Sequence, residues 1–369
     1  MKASRSPFRL TVLALVAALA SAACSDTTAK PEPRGSSSTS TGPAGSGSAA
    51  NAGQELPGID TAGLTPNEKR EFYADLKSLL SPCEKLATPL YQCITEKRDC
   101  KACAPAAKYL LKQVREGKPK EVRADFYKGR YTAKPVEVPV TDAPIKGAEK
   151  AVVTIVEWAD FECPHCKLVS PLLDALVERF PGQVRLAYKF YPISQHKDAE
   201  VAARGGYASI GQGKFWEMHH ALFDNQGMND RSGVIKLAKK LGLDIDQFKK
   251  DMADDEASNR LERDRKQADD LGLDGTPYVF VNGMRLQLES MTSPYFEDLE
   301  GWVATQIEKA GATPVAAPAG FKPPLEADPG APEIPASALP SAEPSSPPSS
   351  APSAEVSAAP SAAPSARPK

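Results

Sequence analysis

Neither sign of charge predominates in this chain: 45 Lys and Arg stand against 47 Asp and Glu, a formal net charge of −2 over 369 residues. That balance gives no electrostatic reason to invoke nucleic acid or an acidic membrane surface as a partner. The apolar run near the N-terminus, Leu10 to Ala20, is too short to cross a bilayer, which takes roughly 20 residues. Two metal-centre patterns are missing as well. No second cysteine pair lies about 15–20 residues from a C-x-x-C pair, as a structural zinc site would want. No histidine directly follows either C-x-x-C pair, because Lys167 and Ala104 stand where a c-type haem would need one. Neither a cofactor nor a metal is expected.

Proline, by contrast, is plentiful: 34 residues, too many for one globular domain of this length. Much of the chain is therefore expected to lie outside a folded core, although a hydrophobic content of 41% supports a good one. The first residues account for part of this. Lys2, Arg5 and Arg9 precede the apolar run, and Ser21, Ala22 and Ala23 lead into Cys24. This resembles a bacterial lipoprotein signal with Cys24 as the lipidated residue; ordinary cleavage after Ala22 or Ala23 is the other reading. Either implies export. There are seven cysteines, and committing Cys24 to lipid leaves six that can pair.

The domain plan expected is a signal peptide over 1–23, a tether over 24–63, a helical cysteine-containing module over 64–135, an α/β domain over 136–312 and a tail over 313–369. The tether and tail are rich in Ser, Ala, Gly and Pro and lack a periodic apolar face, so they cannot offset their ordering entropy. A coil the length of the tether spans roughly 35 Å root-mean-square. In the module, Ser81-Pro82-Cys83-Glu84 has the pattern of an N-cap, a first-turn proline and a capping-box glutamate. A second helix is predicted from about Cys103 to Glu116, with Leu110, Leu111 and Val114 on one face and Gly117 as its stop. In the α/β region, Ala151 to Val156 reads as a buried strand and Val184 to Phe190 as an alternating one. Between them, the apolar spacing from Val169 to Phe180 is helical. Residues 198–271 read as several helices, one capped by Ser232 and another by Asp244. The stretch from Tyr278 through Asn282-Gly283 to Leu288 reads as a β-hairpin, with a closing helix near Ser293-Pro294.

The chemistry concentrates at Cys163-Pro164-His165-Cys166, directly after a strand and opening a helix. A cysteine at a helix N-terminus faces unpaired N–H groups and the positive end of the macrodipole, which favour its thiolate, the reactive species. His165 can add a donor or a positive charge, and Pro164 presets the first turn. Cys166, one turn deeper, is placed to close a short-loop disulfide. An inert structural disulfide is the alternative.

The stretch Val156-Glu157-Trp158-Ala159-Asp160-Phe161-Glu162-Cys163-Pro164-His165-Cys166 resembles the DsbA-like thioredoxin family, as do Lys214-Phe215-Trp216-Glu217-Met218-His219 and Gly275-Thr276-Pro277. The resemblance runs over about 136–310. It implies a thioredoxin-like α/β fold with a DsbA-type helical insertion, here preceded by the small all-helical module. It also implies that Pro277 follows a cis peptide bond beside Cys163. The backbone next to Thr276 and Pro277 would pair with a substrate peptide. Glu157 matches a buried acid that moves protons to and from Cys166. The implied activity is thiol–disulfide exchange on exported proteins through a mixed disulfide on Cys163, with a membrane redox partner that recycles the site. The histidine in the motif leans towards the oxidase direction. A reductase or isomerase, or a surface binding module with a structural disulfide, are the alternatives. At least one of His219 and His220 is expected to be surface or core packing and not a ligand, Ser170-Pro171 a bend in the active-site helix, and His196 a loop residue without an identifiable partner.

Cys83, Cys93, Cys100 and Cys103 leave two readings open. They form two structural disulfides that staple a module of modest core, or Cys100-Lys101-Ala102-Cys103 exchanges electrons with Cys163–Cys166.

Overall fold

The computed structural model describes residues 56–83 and 85–324. The α/β part grows from one strand–helix–strand unit. Strand β2 (Val153–Ala159) feeds helix α5 (Pro164–Arg179), which returns to strand β3 (Val184–Phe190), and β2 and β3 pair in parallel from Val153↔Val184 to Ala159↔Phe190. Strand β1 (Ile145–Gly147) joins β3 antiparallel. Strand β4 (Tyr278–Val281) joins β2 antiparallel, and β5 (Met284–Leu286) closes a hairpin on β4. The sheet order is β1-β3-β2-β4-β5. The hairpin turns at Asn282 and Gly283, both at positive φ (49° and 75°), as a two-residue turn that matches strand twist requires. β1 carries only three residues and was not anticipated from the sequence.

Alternation along β2 divides the core. Val153 and Ile155 join one apolar cluster, while Val156 and Trp158 join another with Tyr278 and Phe280. Between β3 and β4 the chain inserts α6 (Ala199–Ile210), α7 (Phe215–Asp224), α8 (Arg231–Lys240), α9 (Ile245–Ala253) and α10 (Asp255–Asp270), whose apolar faces pack over Cys163 and Cys166. The thioredoxin-like architecture with a helical insertion is as predicted. The cap of α8 is Asp230, which accepts from Gly233 N, and not Ser232, whereas Asp244 does cap α9.

The N-terminal segment is all helical: α1 (Pro66–Ser78), α2 (Leu90–Thr95), α3 (Cys103–Arg115), α4 (Lys120–Tyr127) and a π-helical turn over Lys128–Thr132. Gly117 follows α3 at φ 67°, the left-handed stop expected of it. No helix starts at Ser81. Its hydroxyl donates to Leu86 O at 2.6 Å, Leu80 bridges Pro89, and Cys83 is drawn to Cys100, so the chain stays in a loop until Leu90. Glu84, the expected capping residue, lies outside the described residues.

The helical segment and the sheet share one core. Leu110, Tyr127 and Tyr131 fall in the same apolar cluster as Ile155, Leu176 and Trp302 of helix α11 (Tyr295–Lys309). At its centre lies Arg130, 1% exposed. Its Nη2 donates to Asp298 Oδ2 at 2.6 Å and Ser290 O at 3.3 Å, and its guanidinium lies over the rings of Tyr109 (4.4 Å) and Trp302 (5.2 Å). Tyr109 and Gln113 also donate to Ser290 O, and Trp302 donates to Arg130 O. The peptide Ser293–Pro294, which opens α11, is cis.

Both flanks reach further than the composition suggested. Leu56 and Ile59, placed in the expected tether, are buried, and Arg115 donates to Asp60 O at 3.1 Å. Beyond 312, Val315 N donates to Gln183 Oε1 and Phe321 packs on Phe296, so residues 313–324 also lie on the domain. A few apolar side chains suffice to attach segments that average composition assigns to coil. Cys24 and the signal-like start lie outside the described residues, as does the chain from 325 onward.

A buried ion pair that loses one partner leaves an uncompensated charge, at a cost of about 3–5 kcal/mol. Arg130→Leu is therefore expected to lower unfolding stability by about that amount, because Asp298 is 7% exposed. Denaturant unfolding followed by circular dichroism measures it. A loss below about 1 kcal/mol, the value of a surface pair, contradicts the central role given to Arg130.

Candidate active site

Strand β2 ends at Ala159, the chain turns through Asp160-Phe161-Glu162, and Cys163 becomes the N-cap of α5 with Pro164 in the first turn. The turn is held from several sides. Asp160 Oδ1 accepts from Glu162 N, and Asp160 Oδ2 accepts from Ile193 N. From the insertion, Gln226 Nε2 donates to Phe161 O and Cys163 O (3.0 and 2.9 Å), and Asn229 Nδ2 donates to Phe161 O at 3.1 Å. Phe161 stacks on Tyr188 and meets α6 at Gly206, where a Cβ would stand 3.0 Å from its ring. Neither Gln226 nor Asn229 was singled out from the sequence. They lie more than sixty residues away, and side-chain amides in a helical region carry no periodic signal.

Cys163 and Cys166 are both free thiols, 3% and 0% exposed. Cys163 Sγ donates to Thr276 O at 3.5 Å, and the Thr276–Pro277 peptide is cis, as the resemblance implied. The two thiols meet opposite fields. A hydrogen bond from Cys166, aided by the backbone N–H groups of Cys166 and His165 at the start of α5, lowers the Cys163 thiol to about 6 against the opposing effect of burial. Burial, with Cys163 as a negative neighbour, pushes the Cys166 thiol well above the ordinary range. The pair thus consists of one thiol that ionises readily and one that stays protonated a turn deeper, an arrangement suited to thiol–disulfide exchange.

Glu157, on the same strand, is fully buried, and neither carboxyl oxygen has a hydrogen-bond partner. Burial, then the negative charges of Asp174 and Cys163, raise it to about 8. It can therefore hold or release a proton near neutrality beside Cys166, whose own affinity it raises further. His165 is half-buried, with Nδ1 unpartnered, and Pro164 is exposed at the rim. His219 is wholly buried among Phe161, Tyr188, Phe215, Trp216 and Phe223, and burial drives it down to about 3, so it is neutral packing. His220 pairs with Asp174 at 2.5 Å. His196 does have a partner: its Nδ1 lies 2.8 Å from Asp160 Oδ2. Ser170 is buried and Pro171 lies inside α5.

The other cysteines among the described residues are paired as Cys83–Cys100 and Cys93–Cys103. Cys100 and Cys103 are thus not bridged to one another in this structure.

A thioredoxin family model matches residues 140–303, the span that carries all of the groups around Cys163. These residues form a thioredoxin-family domain. Its two opposed thiols are the groups that thiol–disulfide exchange uses. A thioredoxin-like oxidoreductase from Silicibacter pomeroyi is 33% identical, with 40% of this chain and 83% of that one covered and a TM-score of 0.38. BdbD from Bacillus subtilis is 19% identical over 48% of this chain and 98% of its own, with a TM-score of 0.42. Among curated proteins, a Na(+)/H(+) antiporter NhaA of Salinispora tropica is 37% identical over 142 residues, 38% of this chain. The chain spans only 22% of that relative's length. Among the described residues no helix is long and apolar enough to cross a membrane. The thioredoxin-family match leaves the helical segment before 140 outside it.

The sign of the Glu157 effect on stability is fixed by its direction. Its folded value, about 8, lies above the ordinary 4.5, so the native state binds more protons than the unfolded one between these values. The contribution of Glu157 to the stability of the reduced protein should therefore fall as pH rises from 4.5 to about 8 and then level off. Glu157→Gln should flatten that fall and exceed the parent at pH 8 by a few kcal/mol, at about 1.36 kcal/mol per unit. Thermal melts across this range decide it, and parallel curves for the two proteins would refute a buried titrating Glu157.

Proposed function

We propose that the protein is an exported thiol–disulfide oxidoreductase that oxidises cysteine pairs of other exported proteins, with Cys163 as the attacked and attacking sulfur. The observation that carries the direction is the stabilised Cys163 thiolate. A site that holds its reduced form in a favourable field gives up its disulfide readily and is therefore oxidising. A substrate thiolate attacks Cys163 Sγ, and the Cys163–Cys166 bond breaks. Cys166 leaves and takes a proton, for which Glu157 is the nearby donor. The substrate's second thiolate then attacks the mixed disulfide, departs with its new disulfide, and leaves Cys163 as the thiolate. Thr276 and Pro277 offer backbone beside Cys163 to an extended substrate segment. A membrane redox partner would reoxidise the pair. The exported location is supported by the signal-like start before Cys24 and by the two disulfides of the helical segment, which suit an oxidising compartment.

Redox titration against glutathione tests the direction. An oxidase should show a potential less negative than the about −270 mV of thioredoxin. Its slope should change near pH 6 from about 59 to about 30 mV per pH unit, because above that value reduction takes up one proton instead of two. A potential at or below that of thioredoxin would make the protein a reductase. Cys166→Ala should accumulate covalent substrate complexes on non-reducing gels; their absence would reverse the roles given to the two sulfurs.

Lipid on Cys24 would hold the protein at a membrane, since several acyl chains suffice for stable anchoring. Cys24→Ala should then move the protein from the membrane to the soluble fraction. Identical fractionation, with no acyl mass on the parent protein, would discard the anchor.

A further inference from the structure

The helical segment contains four cysteines that the chemistry at Cys163 does not use. They are crowded. The sulfurs of Cys93, Cys100 and Cys103 all lie within 4.8 Å of one another, although Cys100 is bridged to Cys83 and Cys93 to Cys103. They also differ in access. Cys93, Cys100 and Cys103 are buried, at 1%, 8% and 3% exposure, whereas Cys83 is half-buried in the loop before α2. The outer bridge therefore presents one sulfur to an incoming thiol, and the inner bridge presents none. The outer bridge's buried sulfur lies beside the inner bridge.

We propose that these four cysteines form a second thiol–disulfide exchange centre in which Cys100 is the pivot sulfur between an outer bridge open to external thiols and an inner bridge closed to them. An external dithiol supplies the electrons. Its thiolate attacks Cys83 Sγ, a mixed disulfide forms there, and the Cys83–Cys100 bond breaks with the electron pair remaining on Cys100. The Cys100 thiolate then attacks the inner bridge. Attack at Cys93 forms Cys93–Cys100 and releases Cys103; attack at Cys103 forms Cys100–Cys103 and releases Cys93. The second thiol of the dithiol resolves the mixed disulfide, leaves as the cyclic disulfide, and frees Cys83. Two electrons and two protons have entered, and they rest on Cys83 and one inner cysteine. Cys103 opens α3, where the helix N-terminus favours a thiolate, so it is the better leaving group and Cys93–Cys100 the favoured product. This centre works independently of the reading given to Cys163.

Limited reduction of the full chain with dithiothreitol, an acid quench, alkylation of free thiols and peptide mapping by mass spectrometry test the proposal. At one equivalent taken up by the segment, Cys83 and either Cys93 or Cys103 should carry the label, with Cys100 in the surviving bridge. Label on Cys83 and Cys100 with Cys93–Cys103 intact overturns the proposal. The same map is expected in the double variant Cys163→Ser, Cys166→Ser, and a map that needs those two residues overturns it too. In Cys100→Ser the inner bridge should be reduced at least tenfold more slowly than in the parent, and an unchanged rate excludes the pivot. The mapping of the unsubstituted protein stands even if that variant fails to fold.

Discussion

The functional half of the molecule depends on the handover from strand β2 to helix α5. One thiol sits at the N-cap, among N–H groups that no carbonyl of the helix can use, and the other sits a single turn inside. The rest of the domain serves that junction. The sheet fixes where β2 ends, the Thr276–Pro277 segment lies against Cys163, and the insertion covers Cys166 and removes it from water. Glu157 extends the same logic along the strand. A carboxyl without a hydrogen-bond partner, buried between β3 and β4, costs stability that a merely structural residue would not impose.

A separate constraint governs the other end of the core. Arg130 joins a helical segment, a short loop at Ser290 and helix α11 through one guanidinium. Its five donors and flat faces let a single side chain serve carboxylate, carbonyl and aromatic neighbours at once, which a lysine could not do. The helical segment is thereby part of the sheet's own core, in the same apolar cluster as β2 and α5.

What could be read in the sequence was what repeats or sits in local order. The C-P-H-C motif between a β-branched run and a helical run located the site, and Asn282-Gly283 located the hairpin. Both depend on neighbours a few residues apart. The parts that escaped depend on distant partners. Nothing local distinguishes Gln226 and Asn229, which clamp the Cys163 turn, from other amides. The composition of 56–63 and 313–324 resembles that of the sequence beside them, yet Leu56, Ile59 and Phe321 find apolar partners. The pairing of the four helical-segment cysteines follows from how the chain folds back and not from spacing. At α8, Asp230 and Ser232 are both good caps two residues apart, and only the geometry around Gly233 separates them.

The chain between the helical segment and the sheet also crosses the tip of the hairpin. Val136 N donates to Gly283 O at 2.9 Å, and a Cβ on Gly283 would stand only 2.1 Å from Val136 O. Glycine there does double duty, since the turn needs its positive φ and the crossing segment needs its missing side chain. A protein trimmed to the thioredoxin-family span would lose this crossing together with Arg130, and would leave Asp298 without its cation and Trp302 bare on one face. In this chain the boundary of the family's sequence pattern and the boundary of a self-sufficient folding unit therefore do not coincide.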